Sequence, residues 1–170
     1  MKSAPRITRS TAPPAAGIVH LGPGAFFRAF IAPYTDEAMG AGSANGEDWG
    51  IIAVSLKSPN AREALVPQGC LYTALERGPD GDTSRQVEAI TDVLVAPEDP
   101  LAVLDTMARP EIRVVSLTIT EKGYCHNPRN GSLWTDHPDV AHDIATSDAP
   151  RTALGFLVLA LSRRREAGIP

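Results

Sequence analysis

Three short clusters in this 170-residue chain have residue types and spacings that could do chemistry. The first is Gly22-Pro-Gly24, followed by Phe26, Phe27 and Arg28, just after the apolar run Ile18–Leu21. Glycines between a strand and a helix let backbone N–H groups approach a pyrophosphate, which also gains from the positive end of the helix. Arg28 adds a planar fork of donors suited to phosphate. The second cluster is Ser55-Leu-Lys57-Ser58, at the end of the apolar run Trp49–Leu56. In a dinucleotide fold the adenosine ribose is read here, by an Asp or Glu for a free 2′-OH or an Arg for a 2′-phosphate. The nearest acid is Glu63, so the usual NAD discriminator is absent, and Lys57 and Arg62 are the groups able to accept a phosphate. The third cluster is Thr120-Glu121-Lys122, which ends and follows Arg113–Thr120, a strongly β-branched strand candidate. In open parallel sheets ligands lie beyond the carboxyl ends of the strands, so these residues would face the same crevice as Gly22 and Gly24.

Each cluster also has a purely structural reading. A complete Gly-x-Gly-x-x-Gly fingerprint needs a glycine at position 27, where this chain has Phe27. A plain strand-to-loop turn would use the same two glycines for backbone reasons alone. Arg28, Lys57 and Arg62 fit solvated surface positions, and Glu121-Lys122 fits an exposed pair in a turn closed by Gly123. On these residues alone both readings stand.

The elements that must position the clusters alternate. Strands are expected at Ile18–Leu21, Trp49–Leu56 and Arg113–Thr120, the second reading as a near-continuous apolar run of the kind buried on both faces of a parallel sheet. Pro33 suits a first helical position, so the first regular helix is expected from about Ala32–Pro33 to Met39, with Ala25–Ile31 as a loop or irregular turn. Gly40–Asp48 reads as a loop, and Pro59–Val66 as a short helix capped by Ser58 or Asn60. Cys70–Glu76 and Arg85–Val95 read as strands, with Asp80-Gly81 between them as a hairpin signal. Pro97–Met107 fits a helix with Leu101, Val103, Leu104 and Met107 inward. Pro138–Ala145 is a short helix, and Pro150–Ala167 a long one with Ala153, Leu154, Leu157, Val158 and Leu161 as its inner stripe. The pattern predicts an α/β, Rossmann-like fold: a mostly parallel sheet with an inserted antiparallel hairpin and helices on both faces.

Composition narrows the class further. The net charge of −4 does not favour a nucleic-acid partner, and the apolar run Ala153–Leu161 is too short to span a bilayer. Cys70 and Cys125 lack metal-ligand spacing and read as free thiols in a reducing, cytoplasmic setting. His126, His137 and His142 lack the spacing of a helical metal pair and read as surface or capping residues. Residues 1–17 hold Lys2, Arg6 and Arg9 with no acid and no apolar core, which suits a flexible tail rather than a secretory signal. Residues 18–170 then form one domain.

Four stretches occur in order: Gly22-Pro-Gly-Ala-Phe-Phe-Arg-Ala-Phe30, Trp49-Gly50 to Val54-Ser-Leu-Lys-Ser58, Gln68-Gly-Cys-Leu-Tyr-Thr73 and Thr118-Ile-Thr-Glu-Lys-Gly-Tyr124. Together they resemble the N-terminal, Rossmann domain of the mannitol dehydrogenase family, the long-chain polyol and sugar-acid dehydrogenases that include mannitol 2-dehydrogenase and fructuronate and tagaturonate reductases. The resemblance covers nearly all of residues 18–170. It implies that this part of the chain binds a nicotinamide dinucleotide, NAD with NADP as the alternative. It implies hydride transfer between that cofactor and a polyol or hydroxy sugar acid. It places Gly22, Gly24, Phe26, Phe27 and Arg28 at the pyrophosphate, Ser55 to Ser58 near the adenosine ribose, and Thr120, Glu121 and Lys122 near the nicotinamide. The family pattern ends Arg-Ala-His where this chain has Phe30, and Pro33 departs from a segment that continues there as helix. In the family a Cys-Asp-Asn motif and a mostly helical second domain with the catalytic lysine follow. The resemblance therefore implies a fragment, truncated product or split frame, inactive alone and partnered by a separately encoded catalytic domain. The alternative is a non-catalytic remnant or interaction module that keeps the fold.

Overall fold

A computed structural model describes residues 7–41 and 49–170. The expected Gly40–Asp48 loop, from residue 42 on, lies outside the described residues, as do residues 1–6. Four strands form one parallel sheet: β1 (Ala16–Leu21), β2 (Gly50–Ser55), β5 (Ile90–Val95) and β6 (Val114–Leu117). Their spatial order is β5-β2-β1-β6. Counting only parallel strands, this is the 3-2-1-4 part of the doubly wound order, in which the strand order reverses beside β1. β2 is buried at every residue, as its unbroken apolar run predicts.

The inserted antiparallel pair is β3 (Tyr72–Gly78) with β4 (Gly81–Val87), closed by a two-residue turn at Pro79-Asp80. The expected single strand Arg85–Val95 is in fact two. Glu88 and Ala89 separate the hairpin's β4 from β5, which returns to the parallel sheet. The break is held from both sides: Glu88 N–H donates to Asp36 Oδ1 at 2.8 Å, and Ile51 N–H donates to Ala89 O at 2.8 Å.

Helices α1 (Ala32–Gly40) and α2 (Asn60–Leu65) cover one face of the sheet, where Phe27, Ala32, Ile51, Leu65, Ile90 and Val93 pack together. Helices α3 (Pro100–Met107) and α5 (Ala153–Glu166) cover the other, around Val19, Leu21, Ile52, Val103, Leu104, Met107 and Phe156. α4 (Pro138–Ala145) lies against α5. Side-chain caps start three helices: Asp99 for α3, His137 for α4 and Thr152 for α5. Neither Ser58 nor Asn60 caps α2; Pro59 precedes it with no side-chain bond. Leu101 on α3 is exposed rather than inward.

The inner face of α5 also differs from the expected stripe. Ala153, Phe156 and Ala160 are buried, while Val158 and Leu161 are 62% and 65% exposed. Leu157 packs against this core as expected, beside Leu159, and only Val158 and Leu161 turn outward. The N-terminal segment is tied down at Arg9, whose guanidinium donates to the carbonyls of Gly69, Glu88 and Ile90 at 3.1, 2.9 and 3.1 Å. Among the described residues no helix is long and apolar enough to cross a membrane.

Candidate functional site

The site is built at the carboxyl end of β1. The regular helix α1 begins at Ala32, as expected, and the segment ahead of it is irregular and helical from residue 25 rather than a loop. Its second turn, Phe27–Ile31, is π-helical, with Ala32 N–H reaching back to Phe27 O. Pro33 is the physical reason. Inside a regular α-helix its ring would strike the carbonyl four residues back and leave it without a donor; a widened turn accommodates both effects. The consequence is functional. The helix N-terminus stands directly behind Gly24, and its first intrahelical bond is Arg28 N–H to Gly24 O at 3.1 Å. The N–H groups of residues 25–27 precede that bond and point to the crevice, the arrangement that suits an anion.

Gly22 is fixed from every side. Its φ is +92°, its N–H donates to Val54 O at 2.9 Å, and its carbonyl accepts from Gly24 N–H at 2.7 Å. A side chain at position 22 would put its Cβ 2.5 Å from Thr118 O, so only glycine fits. Gly24 is different. A Cβ there would meet only Gly22 O, at 4.0 Å, and otherwise open space. Open space over exposed backbone beside a helix N-terminus is a geometry that suits a pyrophosphate.

Of the aromatic and basic residues that follow, Phe26 is exposed, but Phe27 turns inward, fully buried, and stacks on His20 with ring centroids 4.0 Å apart. Only the backbone of Phe27 can face a ligand. Arg28 lies back along the helix, its Nε 3.4 Å from Gly24 O, while its carbonyl accepts from Tyr72 Oη at 2.6 Å. At the end of β2, Ser55 Oγ donates to Ser58 O at 2.6 Å and so closes its own turn. Lys57 is exposed beside it. Arg62 is engaged with the Glu98 carboxylate through both terminal nitrogens, a fork that raises the arginine pKa and lowers that of Glu98.

The third cluster comes to the turn through a neighbouring residue. β6 ends at Leu117, three residues earlier than expected, and Thr118 rather than Thr120 touches the glycine turn. Thr120, Glu121 and Lys122 are exposed on a short 3₁₀ turn, and the Glu121 carboxylate is 3.7 Å from His126 Nε2. His137 Nδ1 accepts from Asp139 N–H, and His142 Nε2 donates to Ala149 O, so both act locally as expected. Among the described residues no cluster could hold a metal ion. Cys70 and Cys125 are free, buried thiols; burial pushes the Cys70 thiol up to about 11 and raises that of Cys125.

Sequence patterning passed over His20, which sits in an apolar strand. It is fully buried, and desolvation lowers its pKa to about 4. Nδ1 lies 2.8 Å from Ser116 Oγ and Nε2 lies 2.9 Å from Thr118 Oγ1. A lone polar residue in an otherwise apolar strand, next to a glycine turn, is the signal that could have found it.

The sheet order, the glycine turn and the helix N-terminus behind it define a Rossmann-like α/β domain. The chain belongs to the mannitol dehydrogenase family, for residues 16–170 match the family model described as the mannitol dehydrogenase Rossmann domain. It is 44% identical over 155 residues to a mannitol 2-dehydrogenase of Pyrenophora tritici-repentis, covering 90% of this chain and 27% of that protein. A mannitol 2-dehydrogenase of Pyricularia oryzae is 43% identical, with 90% and 31% covered. The fold matches that of Pseudomonas fluorescens mannitol 2-dehydrogenase in its ternary complex with NAD and D-mannitol, with TM-score 0.88, 42% identity, and 98% of this chain and 35% of that one covered. A D-sorbitol dehydrogenase in substrate-free form gives TM-score 0.84 and 37% identity, with 95% and 37% covered. The chain thus spans 27–37% of the length of these relatives.

Proposed function

We propose that this chain is the cofactor-binding part of an NAD(P)-dependent oxidoreductase that interconverts a polyol or hydroxy sugar acid and its keto form. NAD is the expected cofactor. The observation that carries this reading is the turn itself: Gly24 exposed with open space above it, backed by a helix that starts at residue 25. The neighbour that this chain matches at TM-score 0.88 is a complex with NAD. The N–H groups of residues 25–27 take the pyrophosphate and Arg28 lies within reach of it. Ser55 and Lys57 sit at the ribose end, and Thr120, Glu121 and Lys122 border the nicotinamide end.

Bound NAD supplies the hydride acceptor. The residues of this chain bind and orient it; the acid–base group that hydride transfer requires belongs to a separate catalytic domain. The test is ligand-linked stability. A ligand that binds only the folded state adds about 2.7 kcal/mol at a hundredfold excess over Kd, roughly 5–10 °C in Tm for a domain of this size. Thermal melts with NAD, NADH, NADP and NADPH at millimolar concentration should show this shift for at least one of the four. No shift with any of them refutes the reading.

A second reading, an interaction module that keeps the fold, is favoured by one feature. Ile144 and Val158 are exposed on α4 and α5, where they line an open, mostly apolar groove of about 420 Å³ between the helices. On this reading the melts show no shift with any dinucleotide, and Val158→Asp abolishes association with a partner without changing Tm.

A further inference from the structure

The buried histidine at the end of β1 belongs to a chain of hydrogen bonds whose direction can be worked out atom by atom. Thr118 Oγ1 lies 2.9 Å from Gly22 O, and a carbonyl can only accept, so the one hydroxyl proton of Thr118 goes there. Nε2 of His20, 2.9 Å from the same hydroxyl oxygen, must then donate to it. The neutral ring has one N–H, so Nδ1 carries the lone pair and accepts from the Ser116 hydroxyl at 2.8 Å. The order is Ser116 O–H to His20 Nδ1, His20 Nε2–H to Thr118 Oγ1, and Thr118 O–H to Gly22 O. No buried side-chain nitrogen or oxygen among the described residues lacks a partner.

The far end of this chain is the centre of the glycine turn. Gly22 O accepts twice, from Thr118 Oγ1 and from Gly24 N–H at 2.7 Å. The second bond closes the three-residue turn over Pro23, and that turn sets where the helix N-terminus behind Gly24 points. The ring is held in plane by stacking on Phe27, which is itself part of that helix, at 4.0 Å and an interplanar angle of 13°. One side chain therefore grips the turn at both ends.

We propose that His20 is a positioning residue for the dinucleotide turn: as the Nε2–H tautomer it orients Thr118, and through it the Gly22 carbonyl, so that the N–H groups of residues 25–27 converge on the pyrophosphate. This rests on the dinucleotide-binding reading for its ligand, but the relay itself is a property of the free protein. Two pairs of substitutions separate it from mere packing. The amide nitrogen of Gln at position 20 reaches the place of Nε2 and can donate to Thr118, whereas Asn reaches only the place of Nδ1. Thr118→Ser keeps the hydroxyl and Thr118→Val keeps only the shape.

The experiment has two arms on the full chain. In the first, long-range ¹H–¹⁵N spectra of the free protein identify the protonated ring nitrogen of His20, and amide spectra follow Gly22 and Gly24. The expected result is the Nε2–H tautomer, with the Gly22 and Gly24 amide signals displaced in Thr118→Val but not in Thr118→Ser. An Nδ1–H tautomer, or a Thr118→Val spectrum unchanged at both glycines, overturns the proposal whether or not any ligand binds. In the second arm, NADH fluorescence titration well below Tm gives Kd. Losing one oriented hydrogen bond is expected to weaken binding about tenfold in His20→Asn and Thr118→Val, with His20→Gln and Thr118→Ser restoring it to within about threefold. Equal Kd across the set, with only Tm lowered, marks the histidine as packing and overturns the proposal. A wild-type chain that shows the predicted tautomer and amide shifts but binds no dinucleotide supports the relay's hold on the turn and refutes the cofactor reading instead.

Discussion

Gly22 and Gly24 are two residues apart, yet replacing each by alanine should do opposite things. At Gly22 the backbone has φ +92°, which costs a residue with a Cβ about 1–2 kcal/mol. The new Cβ would also lie 2.5 Å from Thr118 O, a backbone atom, and the Thr118 N–H is bonded to Leu21 O at 3.0 Å. Neither strand end can move away without losing a bond, so the clash adds a term comparable to overpacking a core, about 1–3 kcal/mol. Together Gly22→Ala should lose about 3 kcal/mol. With an m-value of about 2 kcal/mol/M in urea, the midpoint falls by about 1.5 M. Gly24 does not have a positive φ, and its Cβ would meet nothing nearer than 4.0 Å. Gly24→Ala should stay within about 0.5 kcal/mol of the parent, or gain slightly by restricting the unfolded chain. It should nevertheless weaken NADH binding about tenfold or more, since the methyl group occupies the space the phosphates need. Urea melts followed by circular dichroism and NADH titration of both variants give the four numbers. If Gly24→Ala is as destabilised as Gly22→Ala, if Gly22→Ala keeps its midpoint, or if Gly24→Ala binds NADH like the parent, the division of the turn into a folding glycine and a ligand glycine is wrong.

Acid should act through His20. Its folded pKa of about 4 lies below the unfolded value of 6.5, so between these values the unfolded chain binds more protons and stability rises with pH. Falling from pH 6.5 to 4 should remove at most about 3 kcal/mol; the difference between parent and His20→Gln urea midpoints across this range isolates it. Gly155→Ala should destabilise by about 1–3 kcal/mol, because its Cβ would run into the Asp143 carboxylate. That carboxylate cannot swing aside cheaply, since it accepts from Arg151 N–H, Thr152 N–H and Thr152 Oγ1 at 2.7, 2.9 and 2.7 Å. A Gly155→Ala melt that matches the parent would show the carboxylate to be mobile. Arg9→Ala should lower stability by about 1–3 kcal/mol, measured by the urea midpoint, by leaving the carbonyls of Gly69, Glu88 and Ile90 without their shared donor.

The sequence by itself determined the elements with strong local signals. The unbroken apolar run of β2, the alternation of strands and helices, the Asp80-Gly81 hairpin and the glycine pair after β1 follow from patterns a few residues long. Those patterns were enough for the α/β class and for the place of the candidate site. Tertiary structure decided what depends on partners distant in sequence. Pro33 marks the start of the regular helix at Ala32; the π-helical turn ahead of it, which carries helical backbone back to Gly24, comes with the stacking of Phe27 on His20, a contact no local pattern shows. The break at Glu88-Ala89 depends on Asp36 and Ile51, and no local rule marks it. The inner face of α5 centres on Ala153, Phe156 and Ala160 with Leu157 and Leu159 packed beside it, and leaves Val158 and Leu161 outside, a choice set by which side meets α3 and the sheet. The hydrogen-bond chain from Ser116 through His20 and Thr118 to Gly22 joins residues about a hundred positions apart, and exists only because β1 and β6 are neighbours in the sheet.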